Sequence, residues 1–424
     1  MELKKISFPY FTITMRILHT ADLHLGQTLY HHYLRDDEHR HFFKQLKEWI
    51  LEYKPDVLLV CGDIFDVPRP SAAVWQEFTK IFVELHNACS DMYIVIIAGN
   101  HDSPSTIQAH SEIWKLADTY MIGSAPPAID TSARWEENYI IRLKSGYIVA
   151  LPFMANDRME VYQRLLEYVN SENENNLPVI LTGHLTITGS DITGHSDQIG
   201  NVRAVDADAI YSGFDYMALG HIHRPQTINH ADLIMKDEVE LSAPVIRYSG
   251  SALHVSCDET YPHSVSLVDV DSHSGKIRIK QLWIEQLRHF YTLPLNKEES
   301  FTSEKEVLKE LKKFAADHTN GYIRLRIDYH VDLSSDFNNQ VYSILEEGGN
   351  DLRYNPKIIW TGKSEDKSDI SQIDNSVIDV AELQQMTSPM EFVISTLEDY
   401  PTLTKDEIID TFKDIEEFLM NQDN

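Results

Sequence analysis

Short apolar runs that end in polar, chemically reactive side chains constrain this chain more than any other feature of its sequence. The clearest is residues 94–102, where the apolar stretch IVIIA leads through a glycine into Asn100, His101 and Asp102. A buried amide, imidazole and carboxylate each need polar partners, so apolar packing alone does not account for this segment. We therefore expect a functional site at the end of a buried strand.

Strand-like apolar runs alternate with amphipathic helical stretches between residues 16 and 214. The runs are RILHTAD, DVLLVCGD, MYIVIIAGNHD, YIVALPF, LPVILTGH and FDYMALGHIH, and helical stretches between them include EHRHFFKQLKEWILEY and SAAVWQEFTKIFVELHNAC. This alternation predicts an α/β fold in which helices cover a sheet. From residue 247 strand follows strand, and we expect these strands to form a second sheet that packs on the first as a layered β-sandwich.

The chain of 424 residues is long enough for more than one domain. We expect a main domain over residues 15–288 and a small α+β domain over 289–361. Residues 362–377 are polar and predict a linker, whereas residues 378–424 contain two amphipathic helical stretches that we expect to bind a partner. Residues 1–14 are expected to be a leader, and the sequence leaves open whether it belongs to the native start.

Composition excludes several classes of protein. No apolar run reaches the roughly 18 residues that span a bilayer. The three cysteines, Cys61, Cys89 and Cys257, form no close pair, which fits a reducing cytoplasm rather than a disulfide framework or a zinc knuckle. The formal net charge of −29 argues against an independent nucleic-acid-binding protein, because phosphate contacts need a basic surface. We therefore expect a cytoplasmic protein without a membrane contact.

Potential metal ligands follow five of the apolar runs, usually directly after a glycine. In α/β sheets the carboxyl ends of the strands line the ligand crevice, so these side chains are expected to converge. A single histidine or aspartate there is usually structural, but five such segments in one chain are a very improbable coincidence. Oxygen and imidazole ligands without a thiolate favour Mn²⁺, Fe²⁺ or Mg²⁺, and seven ligands suit two ions with a shared bridge. The expected ligands are Asp22, His24, Asp63, Asn100, His184, His221 and His223.

The order of these motifs resembles that of the calcineurin-like metallophosphoesterases. The segments HTADLHLG, GDIFDVPRPS, AGNHDSPS, GHLTITG and ALGHIHRPQ are similar to the bacterial SbcD-type nuclease subunits, counterparts of the eukaryotic double-strand-break repair nuclease. The resemblance is strong over residues 15–259 and rests on layout alone in the small domain that follows. It implies a layered β-sandwich core flanked by helices, a capping domain over residues 289–361, and C-terminal helices.

The resemblance also implies a role for each site residue. One metal ion would bind Asp22, His24, Asp63 and His223. The other would bind Asp63, Asn100, His184 and His221. The Asp63 carboxylate would bridge the two ions, and Mn²⁺ is the expected metal. His101 would contact the phosphate and protonate the leaving oxygen, and Asp102 would orient the imidazole of His101.

The function that the resemblance implies is metal-dependent hydrolysis of DNA at double-stranded ends and hairpins, in repair and recombination. The implied partners are double-stranded DNA, a second copy in a homodimer, and a coiled-coil ATPase of the SbcC type that would supply the positive charge this chain lacks. Two alternatives stay open. One is a phosphoesterase that acts on a small molecule or a protein, which suits the acidic composition but leaves residues 290–424 unexplained. The other is a non-catalytic assembly module, which the intact ligand set disfavours.

The sequence leaves the function of a few further residues near the motifs undecided. Arg35, Arg69 and Arg224 are candidates for phosphate contacts, and a salt bridge is an equally good explanation for each. Asp66 stands where archaeal and eukaryotic relatives have a histidine, three residues after the Gly-Asp motif. This difference fits the bacterial members and weakens the expectation of a second catalytic histidine.

Overall fold

The computed structural model describes residues 14–30, 33–127, 134–155, 158–193, 204–207, 213–228, 237–271 and 274–362. The described residues up to Thr361 belong to one compact unit. The predicted linker from residue 363 onward, the predicted helical tail and residues 1–13 of the predicted leader lie outside the described residues. Within the described ranges, no helix is both long and apolar enough to cross a membrane.

The described strands and helices alternate over the first half of the chain, as predicted. The strands are β1 (Thr14–Thr20), β2 (Thr28–Leu29), β3 (Tyr33–Leu34), β4 (Val57–Cys61), β5 (Tyr93–Ile97), β6 (Thr119–Ile122), β7 (Ile140–Leu143), β8 (Gly146–Ala150), β9 (Val179–His184), β10 (Tyr216–Gly220), β11 (Gln226–Thr227), β12 (Glu238–Ser242), β13 (Val245–Tyr248), β14 (Ser264–Asp271), β15 (Lys276–Trp283), β16 (Phe290–Leu293), β17 (Asn320–Asp328), β18 (Asp351–Tyr354) and β19 (Ile359–Thr361). The helices are α1 (Asp36–Tyr53), α2 (Ala72–Ala88), α3 (Pro104–Ala109), α4 (Ser111–Trp114), α5 (Met159–Glu172), α6 (Glu304–Asp317) and α7 (Phe337–Glu346).

Two mixed sheets are built from strands between Thr14 and Trp283. The first has the order β12-β15-β14-β1-β4-β5-β6, and the second has the order β11-β13-β10-β9-β8-β7. Strands β1, β4, β5 and β6 run parallel to one another, as do β8, β9, β10 and β13. Parallel strands share one carboxyl edge, so each sheet gathers the loops that follow its strands at one end.

The predicted sandwich is confirmed, but the predicted division of strands between its sheets is wrong. The strands after residue 247 do not form a sheet of their own. Instead, β14 and β15 form a hairpin that pairs antiparallel with β1 in the first sheet, whereas β13 pairs with β10 in the second. The physical reason is that β1 is paired with β4 on one side only, and its other edge accepts the hairpin.

Side-chain alternation along the strands builds the two halves of the core. Ile17 of β1 faces the second sheet and packs in a cluster with Leu181 of β9. Its neighbour Leu18 faces the opposite way, into a cluster with Phe42 of α1 and Phe82 of α2. The first sheet is therefore buried on both faces, which explains the continuous apolar runs that precede the polar site residues.

The small α+β region that follows has an apolar core of its own. Helices α6 and α7 pack on the strands β16 to β19 through buried residues such as Leu311, Ile323 and Val341. Ser303 caps the first of these helices, because its hydroxyl accepts a hydrogen bond from the Glu306 backbone N–H. Two helices and parallel strands make this an α+β region, and its role as a capping domain stays a prediction.

A buried charge network joins this region to the start of α1. The Arg35 guanidinium is fully buried and makes two 3.0 Å hydrogen bonds to the Glu38 carboxylate. The Tyr322 hydroxyl of β17 donates to the same carboxylate over 2.6 Å, and Arg288 forms ion pairs with Asp37 and Asp351. Arg35 is thus a structural ion-pair residue and not an accessible phosphate contact, which settles one alternative left open by the sequence.

Replacing Arg35 with alanine should lower the free energy of unfolding by about 3–5 kcal/mol, because the buried Glu38 carboxylate loses its bidentate partner. The matched control is Arg40→Ala. Arg40 pairs with Glu77 at 3.7 Å, but its side chain is 56% exposed, so a loss below about 1 kcal/mol is expected. Urea unfolding followed by circular dichroism measures both values. Equal losses in the two variants would contradict the assignment of a buried network.

Candidate metal centre

The predicted site residues meet where the carboxyl ends of the two sheets come together. Asp22 and His24 follow β1, Asp63 follows β4, and residues 100–102 follow β5, all in the first sheet. His184 ends β9 in the second sheet, and the segment of His221 and His223 follows β10. The His184 Nδ1–H donates a 2.8 Å hydrogen bond to the Cys61 carbonyl of β4, so this imidazole links the two sheets directly.

The backbone around these residues is strained. Asp22, His24 and Asp63 have φ angles of 51°, 46° and 47°, and φ of His221 is 92°. Such left-handed conformations cost a non-glycine residue about 1–3 kcal/mol each and cluster at functional sites. Gly99 is needed for a different reason, since a Cβ there would lie 2.1 Å from Asp63 Oδ1.

Asp22, His24 and His223 form the first of two groups whose ligand atoms lie within 4.8 Å of one another. Both ring nitrogens of the buried His24 lack a hydrogen-bond partner among the described residues, although carboxylate oxygens of Asp66 and Asp63 lie 3.4 and 3.9 Å away. A buried imidazole without hydrogen bonds beside carboxylates is what a metal position requires. We call these three residues the first metal position.

Asp63, His184 and His221 form the second group, again with all ligand atoms within 4.8 Å. Asn100 joins them, because its Oδ1 lies 2.9 Å from His184 Nε2 and 3.0 Å from His221 Nδ1. We call these four residues the second metal position. The structure thus brings together all seven predicted ligands, and oxygen and imidazole donors at this spacing fit divalent metal ions.

Asp63 lies between the two positions. Its Oδ2 is 3.4 Å from His184 Nε2 and 3.9 Å from His24 Nε2. Its other oxygen, Oδ1, accepts a 2.8 Å hydrogen bond from the His101 backbone N–H. This placement agrees with the bridging role that the sequence predicted.

Buried carboxylates dominate the electrostatics of the site. Burial alone would lower the pKa of His184, but the carboxylates of Asp63 and Asp22 outweigh it and raise that pKa to about 9. For Asp63, burial favours the neutral acid, but the neighbouring His184 imidazole is stronger and lowers the pKa of Asp63 well below its usual value. Burial also lowers the pKa of His223, to about 4. The carboxylates therefore favour a proton on His184, whereas His223 is neutral at neutral pH.

His101 lies at the exposed side of the site. Its Nδ1–H donates a 3.0 Å hydrogen bond to the backbone carbonyl of Asp66, and its ring contacts that of His24 edge-on at 4.9 Å between centroids. Because a carbonyl can only accept, the proton belongs on Nδ1, and Nε2 is the nitrogen that can act on a substrate.

Asp102 has partners different from those that the sequence suggested. We expected its carboxylate to orient the imidazole of His101. Instead, it accepts hydrogen bonds from the backbone N–H groups of Gly99, Ile64 and Phe65, at 2.8, 3.1 and 3.0 Å. Burial and the nearby Asp63 raise the pKa of Asp102 to about 6. This carboxylate holds the loops after β4 and β5 together and so positions Asp63 and Asn100.

One residue beside the metal positions was missed in the sequence. Glu259 is buried, and its Oε1 accepts a 2.7 Å hydrogen bond from the Nδ1–H of His223. It follows no apolar run, and 36 residues separate it from its partner. Only the tertiary structure places Glu259 against a predicted ligand.

Comparison with known proteins identifies the family to which the chain belongs. A family model described as calcineurin-like phosphoesterase matches residues 15–225. Together with the sandwich and the paired ligand groups, this match shows that the chain belongs to the calcineurin-like phosphoesterase family, whose members use divalent metal ions.

Within the family, the chain is similar to the SbcD-type nuclease subunits, as its motifs predicted. It is 29% identical over 271 residues to the SbcD subunit of the SbcCD nuclease from Escherichia coli (strain K12), an alignment covering 58% of this chain and 62% of that protein. The SbcD subunits from Rhodobacter capsulatus and Bacillus subtilis are 29% and 30% identical, and each alignment covers 60% of this chain and 66% of the relative. The alignments thus span just under two thirds of these relatives.

Replacing Asp102 with asparagine should lower the free energy of unfolding of the metal-free protein by about 1–3 kcal/mol, because the amide leaves a buried backbone donor unpaired. Urea unfolding in the presence of a chelator measures this effect, with the exposed Asp91→Asn as control. Unchanged stability together with lost phosphodiester turnover would contradict the loop-holding role and favour direct action on His101.

Proposed function

We propose that this chain is the nuclease subunit of an SbcCD-like complex and hydrolyses DNA phosphodiester bonds with two divalent metal ions, most simply Mn²⁺. One observation carries the proposal: two groups of metal-binding side chains lie on either side of Asp63, next to an exposed histidine. The names of the related SbcCD subunits support the choice of DNA as the substrate.

The seven predicted ligands would hold the two ions at the first and second metal positions, with Asp63 between them. Two bound divalent ions would supply a hydroxide nucleophile from water and offset the charge that develops on the phosphate oxygens. The protein itself holds the ligand imidazoles in place, as in the hydrogen bond from His184 to Cys61, and excludes bulk water from the buried carboxylates.

His101 would be the catalytic residue that acts on the substrate. The Asp66 carbonyl keeps the proton on Nδ1 and turns Nε2 outward, and the backbone bond to Asp63 fixes the distance between His101 and the ligands. From this place a protonated Nε2 can contact a phosphate oxygen and donate its proton to the leaving oxygen. Asp102 would act through the loops and not on the substrate.

Because the chain carries a formal net charge of −29, binding to DNA requires additional positive charge. Two dications would offset part of the charge at the site, and a coiled-coil ATPase of the SbcC type would supply a basic surface. Residues 15–288 would form the nuclease domain of a homodimer, and residues 289–361 would form a capping domain that positions DNA. The linker 362–377 would lead to a helical tail, 378–424, that binds the ATPase by a helix-in-groove contact.

The net charge of −29 favours one competing function, a phosphoesterase that acts on a small molecule or a protein. Such an enzyme would use the same ligands and His101 but would not need a basic partner. A chromogenic phosphodiester and a small phosphomonoester, offered beside linear duplex DNA, separate the two functions by which substrate is consumed.

Asp63→Asn should abolish degradation of linear duplex DNA in Mn²⁺ and also weaken Mn²⁺ binding, because both metal positions lose an anionic neighbour. The wild-type protein with Mn²⁺, with Mg²⁺ and with chelator is compared with the variant on a gel. Mn²⁺-dependent degradation that persists in the variant would contradict the proposed site. Intact DNA with rapid turnover of the small phosphomonoester would favour the competing function.

His101→Gln should retain Mn²⁺ binding and lose turnover by about 10²–10⁴-fold, the usual contribution of general acid catalysis. The loss should be smaller for a chromogenic phosphodiester with a good leaving group, which needs less protonation. Single-turnover rates with the two substrates measure this difference. Full activity of the variant, or the same loss with both leaving groups, would contradict the role of His101 as an acid.

A further inference from the structure

Contacts other than the one to His223 hold the Glu259 carboxylate in place. Its Oε2 accepts a 2.9 Å hydrogen bond from the Val255 backbone N–H and lies 3.5 Å from His263 Nε2. The residue is almost fully buried. Its other oxygen, Oε1, therefore has a defined place against Nδ1 of His223, and the imidazole must present Nε2 to the first metal position.

The second imidazole of the first metal position also has a carboxylate beside it. Asp66 Oδ1 lies 3.4 Å from His24 Nδ1, on the side of the ring away from the Nε2 that faces Asp63. Asp66 is partly exposed, in contrast to Glu259, so its charge is better screened by solvent. Each of the two histidines of this position thus has a carboxylate next to its Nδ1.

The second metal position is built differently. His184 donates its Nδ1–H to the neutral carbonyl of Cys61, whereas the Asp22 carboxylate, itself a predicted ligand of the first position, lies 3.8 Å from that nitrogen and outside hydrogen-bonding distance. The Asp102 carboxylate lies nearby, but its oxygens are occupied by three backbone N–H groups. A carboxylate behind a ligand imidazole raises the basicity of the ligand more than a carbonyl does.

We propose that Glu259 is a positioning residue that makes the first metal position the tighter of the two. The hydrogen bond fixes the tautomer and the orientation of His223, and the negative charge strengthens the imidazole as a ligand. The second position then binds its ion more weakly and exchanges it more readily. This inference rests on the two-metal site of the proposed function and adds an order of occupation to it.

The test is a titration of the chelator-treated full-length protein with Mn²⁺, in which the electron paramagnetic resonance signal of the free ion gives the amount bound. The wild type should show two classes of site with unequal affinity. Glu259→Gln should weaken the tighter class by about 10- to 100-fold and leave the weaker class unchanged. Asp66→Asn should weaken the same class by a smaller factor.

The matched control is Glu136→Gln, since Glu136 is a buried carboxylate that is paired with Arg164 and not with a ligand. It should leave both affinities unchanged. The melting temperature of each variant in chelator shows whether the fold is intact. A lower melting temperature for Glu259→Gln with unchanged Mn²⁺ affinities would assign Glu259 a purely structural role and overturn the inference.

The remaining outcomes separate this inference from the proposed function. Two equal classes in the wild type, or equal weakening of both classes in Glu259→Gln, would overturn the inference while leaving the two-metal site in place. A wild type that binds no Mn²⁺ would overturn the metal site, and both proposals would fail together.

Discussion

Two buried carboxylates, those of Asp22 and Asp63, lie where the carboxyl ends of the two sheets meet, and the rest of the site depends on how their charge is balanced. Neither has access to solvent, and burial raises the pKa of Asp22, so an ionised carboxylate here needs positive charge from neighbouring groups. In the protein alone, His184 supplies part of it, since the carboxylates raise its pKa to about 9. The same imidazole donates a hydrogen bond to the Cys61 carbonyl of the other sheet. The group that balances the carboxylate charge therefore also holds the two sheets together.

The loops that carry the ligands are held by contacts that do not themselves reach the site. The Asp102 carboxylate accepts hydrogen bonds from three backbone N–H groups of the two loops. These hydrogen bonds offset the backbone strain of Asp63, which has a left-handed conformation. Gly99 allows the loop after β5 to approach Asp63 closely. The sequence motif G-N-H-D thus contains residues of three kinds: one that permits close approach, two proposed to act on metal or substrate, and one that fixes the loops.

Periodicity and motif order could predict the sandwich and the convergence of nine polar side chains at one end of it, whereas the roles of those side chains and the domain boundaries stay predictions. These features repeat at fixed local spacing, and strands that share a carboxyl edge bring their loops together. Contacts between distant segments were not predictable in the same way. Arg35 looked like a surface cation, but Glu38 and Tyr322 bury it. The pairing of β14 with β1 and the contact of Glu259 with His223 likewise depend on segments about 250 and 36 residues apart, which no local pattern encodes.

The central claim is that two metal ions bind on either side of Asp63. Anomalous diffraction from crystals grown with Mn²⁺, recorded on both sides of the manganese absorption edge, tests it most directly. Two anomalous peaks about 3.5–4 Å apart are expected, one against Asp22, His24 and His223 and the other against Asn100, His184 and His221. A single peak at full Mn²⁺ saturation, or peaks away from these side chains, would contradict the account.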